Sequence, residues 1–197
     1  FYDALRPGIE PSGLASPEEV VAHREGHIKA VLKVFREVDL FVFTFGLTEG
    51  WINARTGLVY PTCPGTIAGS FDPEVHAFKN FTFKEIHGDF IRFRELVHEV
   101  NPNLKFLLTV SPVPLKATAS GRHVLTANTF SKSTLRAVAG QLFDEFEDIE
   151  YFPSYEIIAS PWSKGFFYGS DQREVTVGGV DAVMRVFFQQ HAPPQRR

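Results

Sequence analysis

The sequence predicts an α/β protein built on a mostly parallel, doubly wound β-sheet. Two segments, 40–45 and 106–110, are unbroken runs of Phe, Leu, Val and Thr with no charged residue. Such runs without polar alternation indicate strands buried on both faces, as in the interior of a parallel sheet. Four helical stretches flank these runs, and alternation of strands with helices is typical of an open, doubly wound sheet.

Four helices are predicted from their start signals and apolar periodicity. Two begin with a capping box, formed by Ser16 with Glu19 and by Thr82 with Glu85. The second of these helices ends before Pro102, because proline cannot continue a helix. The other two are expected near 128–147 and 178–190. The core faces of the four helices are expected to hold Ile28, Val31, Leu32 and Phe35; Ile86, Phe90, Phe93, Val97 and Val100; Leu135, Val138, Leu142 and Phe146; and Val180, Val183, Met184 and Phe187.

The remaining segments are shorter or less regular. Residues 149–152 predict a third strand that is weaker than the first two. Residues 50–81 are rich in Gly, Pro and Thr and too long for an ordinary connection, which favours a structured functional loop. No repeat or internal boundary is visible, so residues 1–197 are predicted to form one domain, with 7–13 and 192–197 irregular.

Composition excludes several classes of function. A net charge of −3 and a pI near 6.2 provide no basic field, so nucleic acid is not an expected partner. No apolar run approaches the roughly 20 residues of a membrane span. Cys63 is the single cysteine, which excludes an internal disulfide and a multi-cysteine zinc site and fits a cytoplasmic location. The sequence leaves the oligomeric state open.

Polar residues follow each predicted strand. Gly46, Thr48 and Glu49 follow the first strand, Ser111 follows the second, Ser154 follows the third, and Asp171 precedes the last helix. Because ligands bind outside the carboxyl ends of the strands in open α/β sheets, these residues predict a site. The alternative is that each of them caps a helix or a turn.

No motif inside the chain completes a catalytic centre. His23 and His27 are one helical turn apart, but no HExxH motif surrounds them, so they are expected to face solvent. Cys63 is either a thiolate nucleophile or a small packing residue. Ser111 is a weaker nucleophile candidate, because Pro112 has no N–H to offer an oxyanion hole.

Several segments carry a resemblance to a known family. They are residues 43–51; Tyr60, Cys63-Pro64-Gly65, Phe71-Asp72 and His76; residues 108–115 with Ala117-Thr118; His123-Val124, Ala127-Asn128, Ser131-Lys132-Ser133 and Leu135-Arg136; and residues 151–156. Together they resemble the GSCFA family, over about residues 3–188. That family is similar to SGNH hydrolases, so the resemblance implies a flavodoxin-like, three-layer α/β/α sandwich and a serine nucleophile.

The resemblance also implies that the domain is incomplete at its N-terminus. The family is named for a Gly-Ser-Cys-Phe-Ala segment after its first strand, and its serine is the nucleophile. No such segment occurs in these 197 residues. The chain is therefore expected to be a fragment that lacks the nucleophile and one strand of the sheet.

Two departures from the SGNH pattern bear on catalysis. The usual Gly-x-Asn-Asp reads Gly46-Leu47-Thr48-Glu49 here, and a threonine hydroxyl donates only one hydrogen bond. The usual Asp-x-x-His ends in Glu174 instead of histidine. A glutamate, with an ordinary pKa of about 4.3, is a poorer base than imidazole at neutral pH. His76 or His123 would then substitute for it, unless each is a packed loop histidine.

The function implied by the resemblance is serine-based hydrolysis or transfer of an O-acyl group, with an acylated carbohydrate or similar ester as substrate. Gly46 N–H and the Thr48 hydroxyl would stabilise the oxyanion, and Asp171 with Glu174 or a histidine would handle the proton. No metal or cofactor is implied. The rival hypothesis is a carbohydrate-binding or scaffolding module without turnover, which Glu174 favours.

Overall fold

The computed structural model describes residues 1–191, and the chain forms two compact units. The first comprises Phe1–Asp39, Thr48–Leu104 and Ala119–Gly121, and the second comprises Leu40–Leu47, Lys105–Thr118 and the chain from Arg122 onwards. Each unit contains a three-stranded sheet of its own. The predicted irregular segment 192–197 lies outside the described residues. A single domain over 1–197 stays a prediction.

The helices and strands follow one another along the chain in a mixed order. They are α1 (Pro17–Glu37), β1 (Leu40–Phe45), β2 (Glu49–Asn53), β3 (Val59–Tyr60), β4 (His76–Asn80), α2 (Phe83–Val100), β5 (Lys105–Val110), α3 (Val124–Glu145), β6 (Ile149–Tyr151), α4 (Ser154–Ala159), a 3-10 turn (Pro161–Ser163) and α5 (Val177–Gln190).

The second unit is built on a parallel sheet with the strand order β1-β5-β6. β5 lies in the middle, and its pairing with β1 runs from Leu40↔Lys105 to Phe45↔Val110. Every residue of β5 after Lys105 is buried, and α3 and α4 pack against this strand. A parallel sheet flanked by helices confirms the predicted α/β fold and the interior position of β5.

β1 is an edge strand rather than an interior one, so the prediction that it is buried on both faces is wrong. Its residues alternate between exposed and covered positions, and Val42 is 50% exposed. The rings of Phe41, Phe43 and Phe45 share the covered face, with centroids 6.4 and 5.0 Å apart in chain order. β1 has β5 as its only partner strand within residues 1–191, and an edge strand with one covered face alternates in this way.

The two long helices of the second unit differ in how much of their predicted faces is buried. The face predicted for α3 is mostly buried. In α5, by contrast, Val180 and Met184 are exposed, so the predicted burial of these two residues is wrong. α5 packs against α4, and the ring of Phe187 lies 5.3 Å from that of Phe152. The other two residues of the predicted face, Val183 and Phe187, are half-buried.

In the first unit α1 packs against α2. The rings of Phe35 and Phe93 are 6.0 Å apart, and Asn101 Nδ2 donates to the carbonyls of Phe35 and Val38 at 3.0 and 2.9 Å. Both predicted N-caps and the end of α2 before Asn101 are confirmed. The predicted burial of the α1 face is wrong, because no residue of α1 is buried and Ile28 is exposed. None of the helices within residues 1–191 is long and apolar enough to cross a membrane.

The segment 50–81 is structured, as predicted, but much of it forms an antiparallel sheet in the order β3-β2-β4. The ring of Trp51 in β2 lies 5.2 Å from that of Phe71 and 5.9 Å from that of Phe78. These strands contain only two to five residues, too few for an alternating pattern to stand out from the polar and glycine residues around them.

Candidate functional site at the carboxyl edge of the parallel sheet

The loops that follow β1 and β5 lie side by side. Ser111 N–H donates to the Phe45 carbonyl at 2.8 Å, so Gly46 and Ser111 leave neighbouring strands at the same edge. Ser111 is half-buried, and its Oγ accepts from Val113 N–H at 3.3 Å within a tight turn. Two of the predicted site residues are therefore brought together where open α/β sheets bind ligands.

Gly46 borders open space. The residue is exposed, and a Cβ added to it would meet no atom within 4 Å. Its backbone does not adopt a positive φ, so neither strain nor crowding within residues 1–191 requires a glycine here. Gly46 therefore leaves room beside the backbone at the sheet edge.

The Gly46 carbonyl accepts a hydrogen bond from the Nζ of Lys132 at 2.8 Å. Lys132 lies in the middle of α3 and is only 1% exposed. Burial lowers the pKa of this ammonium from 10.5 to about 8, and no neighbouring charge contributes to the shift. A buried cation thus lies directly behind the residue that follows β1.

The hydroxyl groups of Ser154 and Thr109 form hydrogen bonds at the end of the central strand β5. Ser154, the first residue of α4, shares a buried hydrogen bond with the Thr109 hydroxyl and also donates to the Val110 carbonyl at 3.1 Å. These contacts tie the start of α4 to the end of β5. Ser154 therefore has a structural role, as the capping alternative for the polar residues predicts.

Asp171 and Glu174 lie in a turn ahead of α5. Asp171 Oδ1 accepts from the backbone N–H groups of Arg173 and Glu174 at 2.9 and 3.1 Å. The bond from Arg173 and then that from Glu174 lower the pKa of Asp171. Both carboxylates are exposed, and the Glu174 side chain makes no hydrogen bond or ion pair with residues 1–191.

Two hydrogen bonds hold this turn against the loop that follows β5. Arg173 Nη2 donates to the Lys116 carbonyl at 3.0 Å, and the Tyr168 hydroxyl donates to the Pro112 carbonyl at 2.7 Å. Pro112 comes directly after Ser111. The structure therefore brings the Asp171–Glu174 turn to the same loop as Ser111, within the second unit.

The two candidate histidines each use Nδ1 as an acceptor. His76 Nδ1 accepts from Asp72 N–H at 3.0 Å, and His123 Nδ1 accepts from Leu125 N–H at 3.2 Å as the N-cap of α3. A backbone N–H can only donate, so each neutral ring carries its proton on Nε2. A serine base needs its lone pair on Nε2 and a carboxylate behind Nδ1, which is the opposite tautomer.

Thr48, Glu49 and His76 belong to the first compact unit. Thr48 is 1% exposed, and its carbonyl accepts from Phe81 N–H at 2.8 Å. Glu49 is half-buried at the start of β2, opposite Asn80 in β4. A common site for these three residues and the carboxyl edge of the second unit stays a prediction.

A comparison with protein families identifies the chain. The family model described as the GSCFA family matches residues 6–187. The chain belongs to the GSCFA family. The match spans all eight predicted site residues and confirms the resemblance found in the sequence. A search of curated proteins finds no match.

The single cysteine of this GSCFA chain lies in the first unit. Cys63 is half-buried and lines a cavity of about 70 Å³ together with His76, Tyr60 and Tyr2. Its Sγ lies 3.7 Å from the Pro64 carbonyl, a weak contact for a thiol donor. The choice between a nucleophile and a packing residue stays open.

Lys132 is the residue of the GSCFA site that the sequence analysis did not single out. The sequence nevertheless contains an indication of a buried lysine, because Lys132 lies at helical spacing from Leu135 and Ala139 on the buried face of α3. A lysine at helical spacing from buried apolar residues breaks the amphipathic pattern. Such a break indicates either a long side chain that reaches solvent or a buried ammonium with a specific acceptor.

Proposed function

We propose that this GSCFA chain takes part in serine-based hydrolysis or transfer of an O-acyl group, with an acylated carbohydrate as substrate. Membership of the family supports the reaction class through the likeness of the family to SGNH hydrolases. The observation that carries the proposal is the pair of hydrogen bonds that hold the Asp171–Glu174 turn against the loop of Ser111. These bonds join the turn to the loop that leaves β5, and Gly46 leaves room at the end of the neighbouring strand β1, which supports a site at this edge of the sheet.

The nucleophile in this proposal is the serine of the Gly-Ser-Cys-Phe-Ala segment, which these 197 residues do not contain. Its Oγ attacks the acyl carbon, and the carbonyl oxygen becomes an oxyanion that Gly46 N–H and the Thr48 hydroxyl stabilise. When the tetrahedral intermediate collapses, the bond between the acyl carbon and the sugar oxygen breaks. The base returns the serine proton to this oxygen, so the sugar leaves as an alcohol and the acyl group stays on the serine. Water resolves the acyl-enzyme in hydrolysis, and a second hydroxyl resolves it in transfer.

We assign to Glu174 the role of the general base that takes the proton of the serine hydroxyl. Its carboxylate makes no hydrogen bond or ion pair with residues 1–191. The hydrogen bond from Glu174 N–H to Asp171 Oδ1 fixes the backbone of the turn at Glu174. His76 and His123 remain the alternative bases, but each would first have to give up the backbone hydrogen bond at Nδ1. Asp171, with Oδ1 already holding two N–H groups, orients the turn.

The test is ester hydrolysis by the full-length protein, on p-nitrophenyl acetate and on acetylated oligosaccharides. Glu174→Gln should lower kcat by roughly 10²-fold or more, since general bases contribute about 10²–10⁴. Glu150→Gln, at an exposed position of β6, is the matched control. A carboxylate base should keep the wild type active below pH 6, where an imidazole of ordinary pKa, about 6.5, is protonated.

Other outcomes would reassign the base or the function. If Glu174→Gln is as active as the wild type while His76→Ala or His123→Ala loses the activity, that histidine is the base. If the wild type turns over no acyl ester, the hydrolase proposal fails.

The second candidate function is a carbohydrate-binding module without turnover. Trp162 and Phe166 are 90% and 81% exposed, and exposed aromatic faces stack on sugar rings. Binding of acetylated and deacetylated polysaccharide by an inactive wild type, lost in Trp162→Ala, would favour this function.

A further inference from the structure

The buried ammonium of Lys132 is a charge that the proposed reaction does not yet use. Burying a cation is costly unless it is paired or hydrogen-bonded. No carboxylate within residues 1–191 lies at ion-pair distance from Nζ, and burial is the only cause of its lowered pKa. A methionine would fill the same space without that cost. The group that accepts the hydrogen bond of this ammonium therefore indicates the role of Lys132.

Within residues 1–191, the side chain of Lys132 makes one hydrogen bond, to the Gly46 carbonyl at 2.8 Å. Glycine has the greatest backbone freedom, so a free Gly46 would sample several ψ values at the end of β1. A hydrogen bond to its carbonyl fixes the plane of the Gly46–Leu47 peptide. This restraint comes from a charged donor, which makes a stronger hydrogen bond than a neutral one.

Fixing the Gly46 carbonyl also fixes the Leu47 N–H. The peptide is trans, so the carbonyl and the N–H point in opposite directions, and Leu47 N–H points away from the Lys132 ammonium. The N–H groups of Gly46 and Leu47 have no acceptor within residues 1–191, and both residues are exposed. Two consecutive donors are thus left available beside the open space at Gly46.

We propose that Lys132 is a positioning residue that holds the Gly46–Leu47 peptide and thereby fixes the Leu47 N–H as an oxyanion donor next to the Gly46 N–H. The Gly46 N–H belongs to the preceding peptide, whose Phe45 carbonyl accepts a hydrogen bond from Ser111 N–H at 2.8 Å. This inference rests on the proposed acyl-transfer function. Lys132 acts through the backbone and does not touch the substrate. Leu47 N–H supplies a further backbone donor where the Gly-x-Asn-Asp pattern has an asparagine amide.

Kinetics of the full-length protein test the positioning role. Lys132→Met removes the donor, Lys132→Arg keeps a charged donor, and Lys84→Met changes an exposed lysine of α2 as the control. We expect Lys132→Met to lower kcat by about 10²-fold or more with KM changed less than about threefold, because oxyanion donors act in the transition state. Lys132→Arg should recover part of kcat. A purely structural role would lower the folded fraction without this split between kcat and KM.

A second readout needs no turnover. In the ¹⁵N-labelled wild type, the amide resonance of Leu47 should titrate together with the Lys132 side chain, with a midpoint near pH 8. The transition should be absent from Lys132→Met. The comparison with Lys132→Met separates the effect of this ammonium from that of any other group that titrates in the same range.

Each outcome decides the inference. A folded Lys132→Met with the kcat of the wild type overturns it, and so does a Leu47 amide that does not change through pH 8. If Lys132→Met does not fold, the wild-type titration and the kcat of Lys132→Arg decide. If the wild type hydrolyses no ester, the proposed function fails, and the Leu47 titration alone shows whether Lys132 holds the peptide.

Discussion

Asp3 should give the first unit an acid-sensitive part of its stability. The carboxylate is 4% exposed and accepts hydrogen bonds from Arg24, Arg6 and the Leu5 N–H. Burial by itself raises the pKa of Asp3, but these bonds outweigh it and lower the pKa from 3.8 to about 2. The change to test is Asp3→Asn, which keeps the shape and removes the charge.

The expected magnitude follows from the size of the pKa shift. A lowering from 3.8 to about 2 corresponds to about 2 kcal/mol of stability at neutral pH, at 1.36 kcal/mol per pKa unit. Because the folded pKa is depressed, the contribution is fully present above pH 3.8 and is lost as the pH falls towards 2. Asp3→Asn should therefore be about 2 kcal/mol less stable than the wild type at pH 7 and about equal to it near pH 2.

Urea denaturation followed by circular dichroism, at several pH values between 2 and 7, measures this difference. Asp89→Asn, at an exposed position of α2, is the control and should show no such pH dependence. A gap between wild type and Asp3→Asn that stays constant from pH 7 to pH 2 would refute the linkage argument. So would a gap below about 0.5 kcal/mol at pH 7, the size of an ordinary surface substitution.

Two further predictions concern the second unit. The folded pKa of Lys132, about 8 against 10.5, means that its burial costs up to about 3 kcal/mol below pH 8. Folded Lys132→Met should accordingly be more stable than the wild type at pH 7, and the gain should shrink as the pH rises from 8 to 10.5; a gain that grows over this range in urea titrations would contradict the sign. Ser154→Ala should cost about 1–3 kcal/mol, because it leaves the buried Thr109 hydroxyl without its Ser154 partner. An unchanged midpoint of thermal or urea unfolding in Ser154→Ala would show that the hydroxyl pair contributes nothing.

The parallel sheet could be predicted because its central strand is buried along almost its whole length. In β5, Phe106 to Val110 are all buried, and an unbroken apolar run is what such burial requires. The β1 run is equally apolar in sequence, yet Val42 is exposed, because apolar character alone does not reveal whether a second neighbour covers a strand. The two-residue strand β3 is too short for any periodic signal.

The candidate site was predictable only as far as topology fixes it. The neighbouring positions of Gly46 and Ser111 follow from parallel strands that end at one edge, and the hydrogen bond between Phe45 and Ser111 confirms this pairing. The contact of Lys132 with Gly46 could not be predicted, since 86 positions separate the two residues and periodicity gives only a helix face. The tautomers of the histidines depend in the same way on which backbone N–H each ring meets.

The pairing of β1 with β5 has a consequence for how this chain folds. The two strands are neighbours in the sheet, yet residues 46–104 separate them along the chain, and most of that segment belongs to the other compact unit. The entropy lost on closing a loop rises with its length, by about 0.6 kcal/mol for each doubling, and contacts distant in sequence slow folding. An early collapse of 48–104 into its own sheet and helix would shorten the flexible loop that remains to be closed. Substitutions that weaken the pairing of β2 with β4 would then slow the formation of a parallel sheet to which neither strand belongs.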